Sequence, residues 1–205
     1  MRTGILGGTF DPIHIGHLHI GETALLQVGL DRVLFMPAGE PWQKSGRPMS
    51  AAAHRLEMTR LAVEALEGFE VDDREIERAG PTYTYDTLAS FPEEEDLFLV
   101  LGADAANGIP TWHRWEDVME RARILVFPRP GVDLNANELS SLFLLLQAPP
   151  LDISATAIRE SAADGGAYRF LVPEPVHAYI EANRLYAKGV RDDMVGRAHE
   201  QEDSS

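Results

Sequence analysis

The chain has no cysteine among its 205 residues. Disulfide frameworks, zinc–thiolate sites and cysteine nucleophiles are therefore excluded. Positive charge is also scarce: eighteen lysines and arginines stand against thirty-three aspartates and glutamates, a formal net charge of −15. Such a field repels polyanions and argues against broad nucleic-acid binding. An anionic ligand would have to be held by a local cluster of donors. Long apolar runs are missing as well. None exceeds five residues, as in Leu142 to Leu146, far short of the roughly 20 needed to span a membrane. Arg2 to Gly8 leads straight into a glycine pair, with no signal-peptide pattern before it. The expectation is a cytoplasmic protein with neither membrane nor nucleic acid as partner.

What is present is an ordinary globular composition, 44% hydrophobic and 25% charged, in a length that suits one domain. Short apolar runs alternate with helical patterns, the rhythm of parallel strands joined by crossover helices. Strands are expected at Thr3 to Leu6, Arg32 to Met36, Phe69 to Val71, Leu97 to Leu101, Ile124 to Phe127 and Leu142 to Leu146. A helix from His17 to Val28 stops at Gly29. A loop runs from Ala38 to Pro48, and Ser50 is placed to cap a helix from Ala51 to Leu66 with Leu56, Leu61, Val63 and Leu66 on roughly one face. Thr84 can cap a short helix through Leu88, and another helix covers Trp115 to Arg121. Ser154 opens a helix to Ala163, and Pro175 sits in the first turn of a last helix reaching Tyr186. The fold class expected is α/β, a single Rossmann-like, doubly wound parallel sheet with helices on both faces, over residues 1–188. From 189 to 205 the chain is acidic and lacks apolar periodicity, so it reads as a disordered tail. Oligomeric state is not legible; a homo-oligomer is compatible with the sequence.

The most informative segment runs from Gly7 to His17, GGTFDPIHIGH, after a strand and into a helix. In open parallel sheets ligands bind beyond the carboxyl ends of the strands, where such turns lie. Glycines allow a phosphate to approach the backbone, and a helix start offers N–H groups and partial positive charge. His14 and His17 are three apart, so both imidazoles can reach one side of that entrance. The pattern is neither a Walker A sequence nor a dinucleotide GxGxxG. His19, His54, His113 and His177 read as solvated or core residues, with His54 and His113 as candidates for a rim.

Gly7 to His17 resembles the HxGH signature of the nucleotidyltransferase superfamily. Its extended form, GGTFDPIHxGHL through Leu18, is similar to that of bacterial nicotinate mononucleotide adenylyltransferases. A second segment, Ile153 to Arg159 (ISATAIR), places two hydroxyls and a guanidinium at a helix start, where hydroxyls and a bidentate arginine can hold phosphate. It resembles the family's ISxTxIR motif. The resemblance implies ATP contacts from Gly7, Gly8, Thr9, Phe10, His14, His17, Gly102, Asp104, Ile153, Ser154, Thr156 and Arg159, with His14 and His17 at the reacting phosphates.

Three further stretches are similar to the nicotinate branch: Pro81 to Leu88 (PTYTYDTL), Gly102-Ala103-Asp104, and Thr111-Trp112. An indole can stack on a pyridine ring, a threonine hydroxyl can bind its carboxylate, and an aspartate can accept ribose hydroxyls. Each also has a bland reading, as helix cap or core residue. Arg129-Pro130-Gly131 matches an RPG turn whose arginine could support the acceptor phosphate. Where many relatives carry P-P-H-K, this chain reads Pro41-Trp42-Gln43-Lys44, a variant associated with actinobacterial members; Lys44 keeps the charge and Trp42 replaces the histidine. The resemblance thus implies mononucleotide contacts from Thr9, Lys44, Thr84, Asp104, Trp112 and Arg129.

It further implies ATP and nicotinate mononucleotide as substrates, with Mg²⁺ held through substrate phosphates and water and not by side chains. Two alternatives stay open. One is an adenylyltransferase of the same fold acting on phosphopantetheine, against which stand the PTYT segment, Thr111-Trp112 and a histidine at position 14. The other is a non-catalytic adenine-nucleotide sensor.

Overall fold

The computed structural model describes residues 1–39, 49–78, 80, 82–129, 131–134 and 138–187. Six strands form one parallel sheet: β1 (Arg2–Gly8), β2 (Arg32–Pro37), β3 (Phe69–Val71), β4 (Asp96–Gly102), β5 (Ala122–Phe127) and β6 (Leu144–Leu145). Their spatial order is β3-β2-β1-β4-β5-β6, and every pairing is parallel. The order reverses between β1 and β4, which is where open α/β sheets bind ligands.

Alternation along the strands divides the interior in two. Leu6, Val33, Phe35, Phe98, Val100 and Leu125 point into one core, shared with α1 (Ile15–Val28), α2 (Ala52–Val63), α7 (Ala155–Ala163) and α8 (Glu174–Ala182). Ile5, Leu34, Met36, Leu97, Leu99, Ile124 and Val126 point into the other, covered by α4 (Thr84–Ala89), α5 (Ala103–Asn107) and α6 (Trp115–Arg121). Successive residues of a strand face opposite sides of the sheet, so strands apolar on both faces require helices on both. The expected doubly wound α/β sheet is what forms. The remaining helix, α3 (Arg74–Glu77), follows β3.

The sheet also prepares an opening. Pairing between β1 and β4 ends at Ile5–Leu99, whereas β1–β2 continues to Gly8–Pro37 and β4–β5 to Gly102–Phe127. The two central strands therefore part over their last residues.

Several local expectations need correction. Gly7 and Gly8 do not form a turn; they are the last residues of β1, and Phe10 takes the positive φ of 49° in the turn that follows. Gly8 is a glycine for a packing reason, since a Cβ there would lie 2.6 Å from the Phe10 ring. Helix α1 begins at Ile15 with His14 as its N-cap residue, two residues before the expected start. Ser50 and Thr84 are not caps: Ala51 and Tyr83 hold those positions, without side-chain cap bonds. Helix α2 ends at Val63, and its buried face is Arg55, Met58, Thr59, Ala62 and Val63, the i, i+3, i+4, i+7 set, while Leu66 is exposed. Strand β6 is reduced to two residues after a 3-10 turn at Ser140–Leu142. The last helix stops at Ala182. The Ser154 cap is present, its Oγ accepting from the Ala157 N–H at 3.2 Å, and so is the left-handed Gly29 stop. No helix among the described residues is long and apolar enough to cross a membrane. Most of the 38–48 loop and all of the 189–205 tail lie outside the described residues.

Candidate active site

Two hollows open at the carboxyl ends of the central strands. The first, of about 400 Å³, is lined by His14, Gly16 and His17 at the start of α1, by Ile153, Ser154, Thr156 and Arg159 at the start of α7, and by Gly102, Asp104 and Arg129 after β4 and β5. The second, of about 320 Å³, reaches into the gap between β1 and β4 and is lined by Ile5, Gly7, Gly8, Leu99, Leu101, Thr82, Tyr83, Thr84 and Trp112. Thr9 lines both. It stands in the wall between them.

The two histidines lie face to face, ring centroids 3.7 Å apart and planes 22° from parallel. The His14 backbone N–H donates to His17 Nδ1 at 3.2 Å. An Nδ1 that accepts places the proton of a neutral imidazole on Nε2, so His17 presents an Nε2–H donor. Phe10 backs it, edge to face at 4.9 Å. His14 is 6% exposed, and burial pushes its imidazole down to about 4. Its Nδ1 is buried with no hydrogen-bond partner among the described residues. Gly16 has no side chain because a Cβ would sit 3.0 Å from that same nitrogen. At neutral pH His14 is thus an uncharged imidazole, and among the described lining residues the fixed positive charges belong to Arg159 and Arg129.

The second motif touches the first directly. Arg159 Nη1 donates to the Asp11 carbonyl at 2.7 Å and Nη2 to Thr156 Oγ1 at 3.3 Å. Residues 148 apart in sequence are thereby joined through one guanidinium. The Asp11 carboxylate accepts from the Tyr186 hydroxyl at 2.8 Å and the Ser50 N–H at 3.3 Å. Asp104 pairs with Arg129 at 2.6 Å across the rim; both side chains are more than half exposed, so the pair contributes little stability.

Most of the expected site residues line one or the other of the two hollows. His14, His17, Phe10, Gly102, Asp104, Ile153, Ser154, Thr156 and Arg159 line the first hollow, and Thr84 and Trp112 the second. Gly7 and Gly8, expected beside ATP, line the second hollow, where the strand carries them past the parting of β1 and β4. Arg129, expected beside the mononucleotide, lines the first, and Asp104 lines only the first. Lys44, Trp42 and Pro130 lie outside the described residues.

Some lining residues escaped the sequence reading. His19 borders the first hollow, hydrogen-bonded to the Pro149 carbonyl at 3.1 Å and set against Phe127. Ile20, Phe127 and Leu151 give that hollow an apolar side. The signal for His19 was its place two residues after His17, still within the first turns of α1. Thr82 borders the second hollow with a buried hydroxyl that no described residue satisfies.

Strand order, parted central strands and a donor-lined hollow between two helix starts define an α/β nucleotide-binding protein. Residues 5–161 match the cytidylyltransferase-like family. A protein of Roseiflexus sp. (strain RS-1) named "Probable nicotinate-nucleotide adenylyltransferase" is 45% identical over 192 residues, covering 89% of this chain and 96% of its own. One of the same name from Pseudomonas putida (strain GB-1) is 43% identical over 208 residues, covering 90% and 94%. The chain belongs to the cytidylyltransferase-like family, among the nicotinate-nucleotide adenylyltransferases. Among solved structures, the Plasmodium falciparum nicotinic acid mononucleotide adenylyltransferase complexed with APC superposes with a TM-score of 0.75 at 18% identity, over 90% of this chain and 96% of that one. The same enzyme complexed with NaAD gives 0.74 at 17% identity, over 90% and 97%. At these identities the likeness is one of fold.

Proposed function

We propose that the protein joins nicotinate mononucleotide to the adenylyl group of ATP, giving nicotinate adenine dinucleotide and pyrophosphate. The observation that carries this reading is the adjoining pair of hollows, one rich in phosphate donors from both motifs, the other bearing Trp112 and Thr84, with Thr9 between them. The triphosphate occupies the first and the pyridine ring the second. The 5′-phosphate oxygen of the mononucleotide then attacks the α-phosphorus in line. The bond from that phosphorus to the oxygen bridging to the β-phosphate breaks, and its electron pair leaves with pyrophosphate. The nucleophile is already anionic, so no general base is required.

Two anions must approach while charge grows on the leaving group, so preorganised donors supply most of the acceleration. His17 Nε2–H and the neutral His14 serve the reacting phosphate, and Arg159, Thr156 and Ser154 hold the departing pyrophosphate. Asp104 and Arg129 sit on the triphosphate side, and Lys44 is retained as an acceptor-phosphate contact. Mg²⁺ fits a site of this kind when held by phosphate oxygens and water. The carboxylates at the hollow, Asp11 and Asp104, are engaged by Tyr186 and Arg129, and hydroxyls and cations make up much of the remaining polar lining. Bound there, the ion would neutralise charge on the triphosphate. The protein works in the cytoplasm.

Pyrophosphate release from ATP and Mg²⁺ tests this, with nicotinate mononucleotide, nicotinamide mononucleotide and phosphopantetheine supplied in parallel. Release with nicotinate mononucleotide well above the other two is expected. Release only with phosphopantetheine, or with none of the three, refutes the reading.

A further inference from the structure

Helix α2 carries one residue that its position does not explain. Arg55 begins the buried stripe of that helix and is 0% exposed. A guanidinium is rarely taken out of water unless its donors are matched. Here the acceptors among the described residues are all backbone carbonyls: Nη1 donates to Thr9 at 2.8 Å, Nη2 to Gly39 at 3.0 Å and Nε to Ser50 at 3.2 Å. Among the described residues no carboxylate is in direct contact with it, although the nearby Asp11 carboxylate favours its charge against the cost of burial.

The three carbonyls belong to the places where the site is assembled. Thr9 is in the wall shared by both hollows. Gly39 follows Ala38, which lines the second, and Ser50 follows Met49, which lines the first. Gly39 is also pressed from its far side, where a Cβ would meet the Glu75 carbonyl of α3 at 2.1 Å. One residue beyond Phe10, the wall is held again, with Asp11 taking Arg159 on its carbonyl and Tyr186 and the Ser50 N–H on its carboxylate. Phe10, between the two clamps, has a φ of 49°, a conformation that a bulky residue keeps only when its surroundings impose it.

We propose that Arg55, with the Asp11 carboxylate that Tyr186 caps, is the positioning element of this site: it fixes the Thr9–Asp11 wall between the hollows and so sets the distance at which the two substrates meet. The inference rests on the adenylyl-transfer reading. Neither Arg55 nor Tyr186 lines either hollow, so each acts through the wall. Loss of such an element leaves each substrate its own binding contacts and degrades the approach of the two; a displacement of about 1 Å at a reacting centre costs on the order of 10²-fold in rate.

The test uses the full chain with Arg55→Met and Arg55→Lys, checked for folding by near-ultraviolet circular dichroism. Dissociation constants are measured by calorimetry for Mg²⁺-ATP alone and for nicotinate mononucleotide alone, and kcat with both at saturation. For Arg55→Met the expectation is a kcat lower by roughly 10²-fold with each dissociation constant within about threefold of wild type; Arg55→Lys should recover part of the rate. A folded Arg55→Met protein with wild-type kcat overturns the proposal. So does one whose loss lies in the two dissociation constants with kcat retained. If neither Arg55 variant folds, Tyr186→Phe carries the test, since it keeps Arg55 and removes the hydroxyl from Asp11: a lower kcat with retained binding supports the proposal, an unchanged kcat overturns it. Wild-type protein that shows no turnover takes down the adenylyl-transfer reading and this inference together, whereas an active wild type with unaffected variants removes only the inference.

Discussion

Lowering the pH should destabilise this protein through His14. In the folded chain the imidazole is 6% exposed and burial brings it to about 4, whereas an unfolded histidine titrates near 6.5. The unfolded chain therefore takes up the proton first, and protons favour unfolding. The full stability is present above pH 6.5 and is lost as pH falls toward 4, below which this group costs nothing further. At pH 5 the folded state is still mostly neutral at His14 while the unfolded state is almost wholly protonated, a loss of about 2 kcal/mol relative to pH 7.5. His17 is stacked 3.7 Å away, and a second positive ring there would add repulsion. The assay is urea unfolding of wild type and His14→Gln at both pH values. Wild type should lose about 2 kcal/mol more than the variant between pH 7.5 and pH 5, about 4–8 °C in Tm for a chain of this size. Parallel losses in the two proteins would refute the argument, because they would mean that His14 takes up its proton equally in both states.

Two further substitutions examine the halves of the site separately. His17→Asn keeps an acceptor where Nδ1 receives the His14 N–H but removes Nε2, so kcat should fall by roughly 10²–10³ with little change in Tm; near-normal turnover by folded variant would remove His17 from the chemistry. Trp112→Ala opens the second hollow and leaves the first intact, so KM for the mononucleotide should rise far more than KM for ATP, and equal rises would count against ring stacking.

Much of the fold could be read along the chain because its signals are local and periodic. Short apolar strands alternating with helical patterns led to the parallel sheet, and Ser154 and Gly29 marked a cap and a stop by their own chemistry. The misreadings are of another kind. Leucines suggested a face for α2, yet the buried stripe runs through Arg55 and Thr59, since burial follows helix geometry and neighbouring elements more than hydrophobicity. The sign of that stripe was present as a polar residue at its first position, but a single arginine reads as surface until its three carbonyl partners are in view.

The same division runs through the site. Chain order alone supplied the donor types: two imidazoles three residues apart at one helix start, and two hydroxyls with an arginine at another. Side-chain chemistry is carried by residue identity, and helix spacing by backbone geometry, so neither needed the remainder of the molecule. Which donors share a hollow was a tertiary matter. Gly7 and Gly8 line the second hollow where β1 and β4 cease to pair, whereas Arg129 and Asp104 line the first. The neutrality of His14 was decided there too, because desolvation depends on what surrounds a ring and not on its neighbours along the chain.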